Sequence, residues 1–198
     1  MKLIRSATTN PGKLREFRIA AGHFGHSHVQ IEPLEHIASL PECTEDGETF
    51  EENAIKKAIH YSVHAHRPVF SDDSGLVVAA LDGAPGVRSA RFAGLKATDE
   101  ENNRLLLEKL EGVEQRIAWF QCVIALAHEG RLLGVFNGSV EGLIATEPRG
   151  QNGFGYDPLF FHPPFDCTFG EVDANRKLAA SHRGQALKKM LDYVDERL

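Results

Sequence analysis

Between residues 116 and 146 the chain reads RIAWFQCVIALAH, then Glu129-Gly130, then RLLGVFNGSVEGLIA. Aromatic and β-branched residues dominate the first arm, and only two residues link the arms. This pattern predicts a long β-hairpin. The rest of the chain alternates short apolar runs with helical patterns. A prominent antiparallel hairpin among helices and further strands implies a mixed α/β sheet.

The flanking elements follow from local signals. Residues 2–8 (KLIRSAT) read as a short strand. Asn10 is a good N-cap and Pro11 suits the first helical position, so a helix starts there. Leu14, Phe17 and the region from Ile19 to Ala21 supply its apolar face. Thr49-Phe50-Glu51-Glu52 is a capping box opening a helix over 49–66, and Thr98-Asp99-Glu100-Glu101 opens another over 98–110. Residues 68–71 and 76–81 read as two short strands flanking SDDSG. A Gly- and Pro-rich stretch, EPRGQNGFGYDPLFFHPP, precedes a closing helix from Ser181 to Glu196. No repeat, low-complexity segment or linker interrupts the chain, so residues 1–198 read as one domain.

Composition excludes several function classes. Lys plus Arg is 22 and Asp plus Glu is 28, a net charge of −6. That balance argues against coating nucleic acid or an anionic membrane, though not against a small anionic ligand. Cys43, Cys122 and Cys167 form no CxxC pair and no disulfide framework. The N-terminal MKLIRSATTN has no long apolar run, and no segment nears the roughly 18 apolar residues of a membrane span. Neither a signal peptide nor a membrane partner is expected, and the expected compartment is the cytoplasm.

Chemistry concentrates in four places. In Thr8-Thr9-Asn10-Pro11-Gly12-Lys13 a strand turns into a helix whose first N–H groups can bind an anion, with Lys13 adding charge. The alternative is an ordinary capped turn with a surface lysine. Ser71-Asp72-Asp73-Ser74-Gly75 follows a buried strand. Carboxylates there are costly unless paired or metal-bound, and oxygen donors of this kind suit Mg²⁺. A β-turn is the other reading. The acidic run Glu42, Glu45, Asp46, Glu48, Glu51, Glu52 is expected to be largely solvated or paired at helical spacing with Lys56 and Lys57. A sharper reading places one glutamate near a metal and Lys57 near phosphate. Gly153-Phe154-Gly155-Tyr156-Asp157-Pro158 presents flat faces and a carboxylate suited to a base. Downstream, Ser181 reads as an N-cap, which puts His182 and Arg183 in the first helical turn. Cations there oppose the helix dipole and hint at an anionic or carbonyl-bearing ligand. His23, His26, His28, His60, His64 and His66 lack the HExxH pattern and read as surface or core histidines.

Together these segments resemble the inosine triphosphate pyrophosphatase family, nucleotide hydrolases acting on dITP, ITP and XTP. The resemblance is carried by TTNPGKLREF (8–17), GETFEENAIKKA (47–58), SDDSGLVVAALDGAPGVRSARFAG (71–94), GFGYDPLFF (153–161) and SHRGQALK (181–188), in family order. It implies an elongated, curved mixed sheet with flanking helices, two lobes around a central cleft, and a homodimer. Thr8 to Lys13 would wrap the triphosphate. Asp73 would be general base and Mg²⁺ ligand, supported by Asp72, while Ser74 would contact the nucleotide. Phe154 to Asp157, Lys177, His182 and Arg183 would hold base and phosphates, and Lys57 falls on a recurring helix lysine. Many relatives carry a metal-binding acid three residues before the glycine that is Gly47 here. This chain has Thr44 there, so Glu45 or water takes that place. The implied reaction releases pyrophosphate from a nucleoside triphosphate. The rivals are a pyrophosphatase for other modified nucleotides and a non-catalytic nucleotide-binding module.

Overall fold

A computed structural model describes residues 1–198. The long hairpin is present: β4 (Ile117–His128) and β5 (Arg131–Ile144) are neighbours in the sheet. Glu129 and Gly130 join them with φ values of 50° and 76°, the left-handed pair that a two-residue hairpin turn demands. The full sheet has seven strands in the order β2-β1-β3-β4-β5-β6-β7. β1 (Lys2–Ser6) pairs in parallel with β2 (Val29–Pro33) and with β3 (Val69–Val78). β6 (Phe160–His162) pairs antiparallel with β5 and with β7 (Cys167–Thr168). The sheet is therefore mixed, as expected.

Helices lie between the strands in sequence. α1 (Pro11–His23) starts as its sequence predicts: the Asn10 side chain accepts from Lys13 N, and Pro11 stands in the first turn. The capping boxes at Thr49–Glu52 and Thr98–Glu101 both form, opening α2 (Phe50–Ser62) and α3 (Asp99–Lys109). α4 (Ala174–Ala180) and α5 (His182–Arg197) close the chain. Ser181 ends α4 as its C-cap and directly precedes α5, so His182 and Arg183 stand in the first turn of that helix as expected. No helix is long and apolar enough to cross a membrane.

One element differs from its sequence expectation. Residues 68–71 and 76–81 are not two strands around a turn; β3 runs unbroken from Val69 to Val78 through Asp72 and Asp73. The carboxylates are tolerated there because cations meet them, as described below. Gly75 permits the passage, since a Cβ on it would stand 2.3 Å from Ser89 Oγ and 2.6 Å from Gly86 O.

The chain divides into two units. The first comprises residues 1–73, 122–138 and 182–198, the second residues 74–121 and 139–181. Within the first, Ala54 and Ala58 of α2 pack with Ala125 and Ala127 of β4, and the Phe17 and Phe70 rings meet edge-on at 5.0 Å. Small residues at those four positions let helix and strand approach closely. The second unit has its own core, with Leu76, Leu106, Phe120, Leu159, Phe160 and Phe169 among its members.

The start of α5 lies directly on β5. A Cβ on Gly138 would fall 1.9 Å from His182 O and 2.9 Å from Ala186 N. Gly138→Ala must therefore push the first turn of α5 outward. It is expected to lower stability by roughly 2–3 kcal/mol, which urea unfolding would measure.

Candidate active site

The first unit gathers Lys13, Glu45, Lys57, Asp73 and Arg183 of the sequence-predicted residues at the middle of β3, beside Asp72. Asp72 is 2% exposed. Its Oδ2 lies 2.9 Å from Lys13 Nζ and 3.5 Å from Arg183 Nε. Arg183 Nη1 in turn donates to Glu16 Oε2 at 2.5 Å. Lys13, Glu16, Asp72 and Arg183 thus form a neutral quartet joining α1, β3 and the first turn of α5. Burial pushes the Asp72 carboxyl up, but Lys13, Arg183 and Lys57 outweigh it and hold it down at about 2. The Arg183 guanidinium is correspondingly fixed in its charged form: burial opposes the charge, and Glu16 and Asp72 overcome it.

Asp73 has different company. Asn53 Nδ2 donates to its Oδ2 at 3.1 Å, and Lys57 Nζ lies 3.8 Å from its Oδ1. Asn53 is itself fixed, its Oδ1 accepting from Gly47 N at 2.9 Å. Lys57 Nζ also donates to Glu45 Oε2 at 2.8 Å and to the Asp72 carbonyl at 2.9 Å. For Asp73, burial is the largest influence, and the carboxyl lies above its ordinary value despite Lys57 and Lys13. Lys57 is raised: burial would lower it, and Asp73, Glu45 and Asp72 prevail. Glu45, Asp73 and Lys57 sum to a charge of −1, in contrast to the neutral quartet beside them.

The acidic run at the start of α2 is thus partly paired with lysines. Lys56 and Lys57 pair with Asp46 and Glu45 of the preceding loop. The expected partners at helical spacing, Glu51 and Glu52, are not used this way; Glu52 caps its own helix. Thr44 is exposed. Thr8 and Thr9 lie in the link between β1 and α1, where Asn10 N donates to Thr8 Oγ1 at 3.2 Å, and Gly12 is buried. His182 is 3% exposed.

The second unit holds Ser74 and the segment from Gly153 to Pro158. Ser74 stands half-buried in β3. Lys177 and Asp157, 3% and 1% exposed, form a buried ion pair at 2.5 Å. The Lys177 ammonium stands 4.8 Å from the centre of the Phe154 ring. Asp157 Oδ2 also accepts from Phe154 N at 2.8 Å. Asp99 accepts from Gly155 N at 2.7 Å, Asn103 donates to Gly155 O at 3.0 Å, and Tyr156 OH donates to Ser89 O at 2.8 Å. A glycine-rich segment is thereby held rigid. Gly153 has φ 77°, and a Cβ there would fall 2.0 Å from Asp157 Oδ2.

Sequence reasoning missed Glu16, Asn53, Ser89, Asp99 and Asn103. Glu16 carried one usable signal: with Gly12 and Ala20 it recurs every fourth residue along the buried face of α1, so a carboxylate there needs a partner.

Carboxylates and lysines thus converge at the middle of one strand of an α/β sheet, a donor set compatible with a divalent cation and phosphate oxygens. The chain belongs to the Ham1 family, which matches residues 4–193. It is 48% identical over 190 residues to a dITP/XTP pyrophosphatase of an Exiguobacterium species, strain AT1b, covering 96% of this chain and 95% of the relative. A dITP/XTP pyrophosphatase of Geobacter sulfurreducens is 49% identical, covering 95% of this chain and 94% of that one. Among solved structures, a HAM1 protein from Coxiella burnetii matches with TM-score 0.86 and 43% identity over 99% of this chain and 100% of that chain. The Staphylococcus aureus Ham1 protein matches with TM-score 0.86 and 36% identity over the full length of both chains. The resemblance carried by the five sequence blocks is borne out.

The two aspartates should respond oppositely to amide substitution. Asp72 folds with a carboxyl held below its ordinary 3.8, so its stabilisation is present above that pH and lost as pH falls through about 2. Asp72→Asn also strands buried cations, and is expected to cost roughly 3 kcal/mol at pH 7, a deficit that shrinks as pH falls from about 4 to about 2. Asp73 is displaced upward, so its ionised form costs stability at neutral pH. Asp73→Asn should leave the unfolding midpoint unchanged or raise it. Urea unfolding of both variants at pH 7 and near pH 3 decides the matter.

Proposed function

We propose that this chain hydrolyses dITP, ITP and XTP to the nucleoside monophosphate and pyrophosphate, clearing non-canonical purines from the nucleotide pool. The names of relatives at 48% and 49% identity support the reading. The observation that carries it is the different company of two adjacent carboxylates. Asp72 Oδ2 meets Lys13 and Arg183, while Asp73 is held by the Asn53 amide and by a lysine shared with Glu45. Such a pair suits a division between a supporting group and a proton acceptor.

In this reading a water adds to the α-phosphorus, the bond from that phosphorus to the α–β bridging oxygen breaks, and pyrophosphate leaves. Asp73 orients the water and takes its proton. Asn53 and Lys57 hold the carboxylate in one orientation. Lys13 and Lys57 offset the roughly four negative charges of the substrate, and the link from Thr8 to Lys13 wraps its phosphates. Asp73 and Glu45 would hold Mg²⁺. The fit rests on hard oxygen donors and on the surplus negative charge they share with Lys57. Bound there, Mg²⁺ would neutralise and position phosphate oxygens.

Phe154 to Asp157 and Lys177 take the base in this reading, and Ser74 contacts the nucleotide. Hypoxanthine and xanthine pair an acceptor at O6 with a donor at N1, and adenine reverses both. A donor from His182 or Arg183 to O6 leaves buried groups unpaired when adenine binds, which can supply roughly 10⁴-fold rejection. We also expect a cytoplasmic homodimer; light scattering should give about twice the 21.9 kDa chain mass.

The test is pyrophosphate release with Mg²⁺ from dITP, XTP, GTP, dATP and dUTP. Turnover of dITP and XTP is expected to dominate. Asp73→Asn should lower kcat by about 100-fold or more while KM moves only a few-fold. Tight nucleotide binding without pyrophosphate release would replace the enzyme reading with a binding module. Preference for dUTP would replace the substrate class.

A further inference from the structure

One face of the first unit carries a cluster that this reaction does not use. His26 and His28 lead into β2, while Asp192 and Asp195 stand three residues apart on one face of α5. His26 is 9% exposed. Its Nε2 lies 3.0 Å from Asp192 Oδ1. Its Nδ1 is buried, makes no hydrogen bond, and lies 3.5 Å from Asp195 Oδ2. His28 Nε2 lies 2.5 Å from Asp195 Oδ1. One ligand atom from each of His26, His28 and Asp195 falls within 4.8 Å of the other two.

His26 Nδ1 makes the arrangement informative: it is buried, has no hydrogen bond, and faces Asp195 Oδ2. A ring nitrogen and a carboxylate oxygen so placed are two donor atoms that one cation can bridge. An imidazole whose far nitrogen donates to a carboxylate is also the arrangement that orients histidines on metal ions. Tetrahedral zinc with ligands at about 2.0–2.1 Å sets donors about 3.3 Å apart, close to the spacing already present between His26 Nδ1 and Asp195 Oδ2.

We propose that His26, His28 and Asp195 form a cation site separate from the Asp73 centre, taking a divalent transition metal of the Zn²⁺ type, with Asp192 orienting His26. Local charge favours this class over hard cations. Lys2 Nζ lies 3.5 Å from Asp195 Oδ1 and also donates to the Val194 and Asp195 carbonyls at 3.1 and 2.6 Å. Lys188 Nζ lies 2.8 Å from Asp192 Oδ2. Two lysines thus balance two aspartates, and a cation held by charge alone gains little. Imidazole lone pairs give Zn²⁺ an advantage that Mg²⁺ does not share. The bound ion would tie the entrance of β2 to the last turns of α5, a structural role.

The test titrates the full-length chain with Zn²⁺ against a chromophoric chelator, in excess Mg²⁺. One Zn²⁺ per chain is expected. His28→Asn and Asp195→Asn should weaken it at least tenfold, and Asp192→Asn by about 10–100-fold. The His28 side chain is 46% exposed, so that replacement leaves the fold intact. His60 and His64, with rings 6.0 Å apart on α2 and in the residues after it, serve as control. Their joint replacement by Asn should leave binding unchanged. Zn²⁺ should raise the thermal midpoint of the parent chain and not that of His28→Asn. No uptake at about 100 μM Zn²⁺, or uptake that survives both His28→Asn and Asp195→Asn, would overturn the proposal.

Discussion

A carboxylate at 2% exposure in the middle of a strand obliges the chain to bring cations to it. Left alone, Asp72 would cost several kcal/mol in lost hydration. Lys13 from α1 and Arg183 from α5 meet it, and Glu16 balances the second of these. The partners lie far apart in sequence, so satisfying this one charge draws the start of α1, the middle of β3 and the start of α5 to a single point. The close approach of α5 at Gly138 belongs to the same demand, because Arg183 reaches Asp72 only if its helix begins against the sheet.

Neutralising Asp72 has a consequence for its neighbour. Asp73 occupies the next position of β3, but the strongest cations are already committed. It is left with an amide, Asn53, and with a lysine shared by Glu45 and the Asp72 carbonyl. Burial therefore wins, and the carboxyl rises. The proposed base is thus held in a state that disfavours its charge, the exchange of stability for function that active sites commonly make.

Much of this was legible in the sequence where the signal is local. The Asn10 cap, the two capping boxes, the Glu-Gly hairpin turn and the five family blocks are short-range patterns, and each has its expected place in the structure. The single strand through SDDSG was not legible. Turn-forming residues win in isolation, and the cations that reverse the outcome come from residues 13, 57 and 183. The partners of Lys56 and Lys57 were likewise hidden, because a loop ten to twelve residues upstream competes with helical spacing only once it folds back. The histidines before β2 looked partnerless for the same reason: their carboxylates stand at the far end of the chain, in α5.

Charge alone cannot distinguish the substrates of such an enzyme. Every purine triphosphate carries the same phosphates, so the proposed contacts of Lys13 and Lys57 do not tell them apart. Selection has to rest on the hydrogen-bonding pattern of the base, for which Asp157 and Lys177 are among the proposed contacts. That buried ion pair is neutral as a whole and lies beside an aromatic face. Asp99, Asn103 and Ser89 fix the backbone and the tyrosine around it. A rigid neutral pair cannot rearrange cheaply to suit a base with reversed donors and acceptors. The cost of the mismatch then falls on the wrong substrate, which is the condition for discrimination between ligands of equal charge.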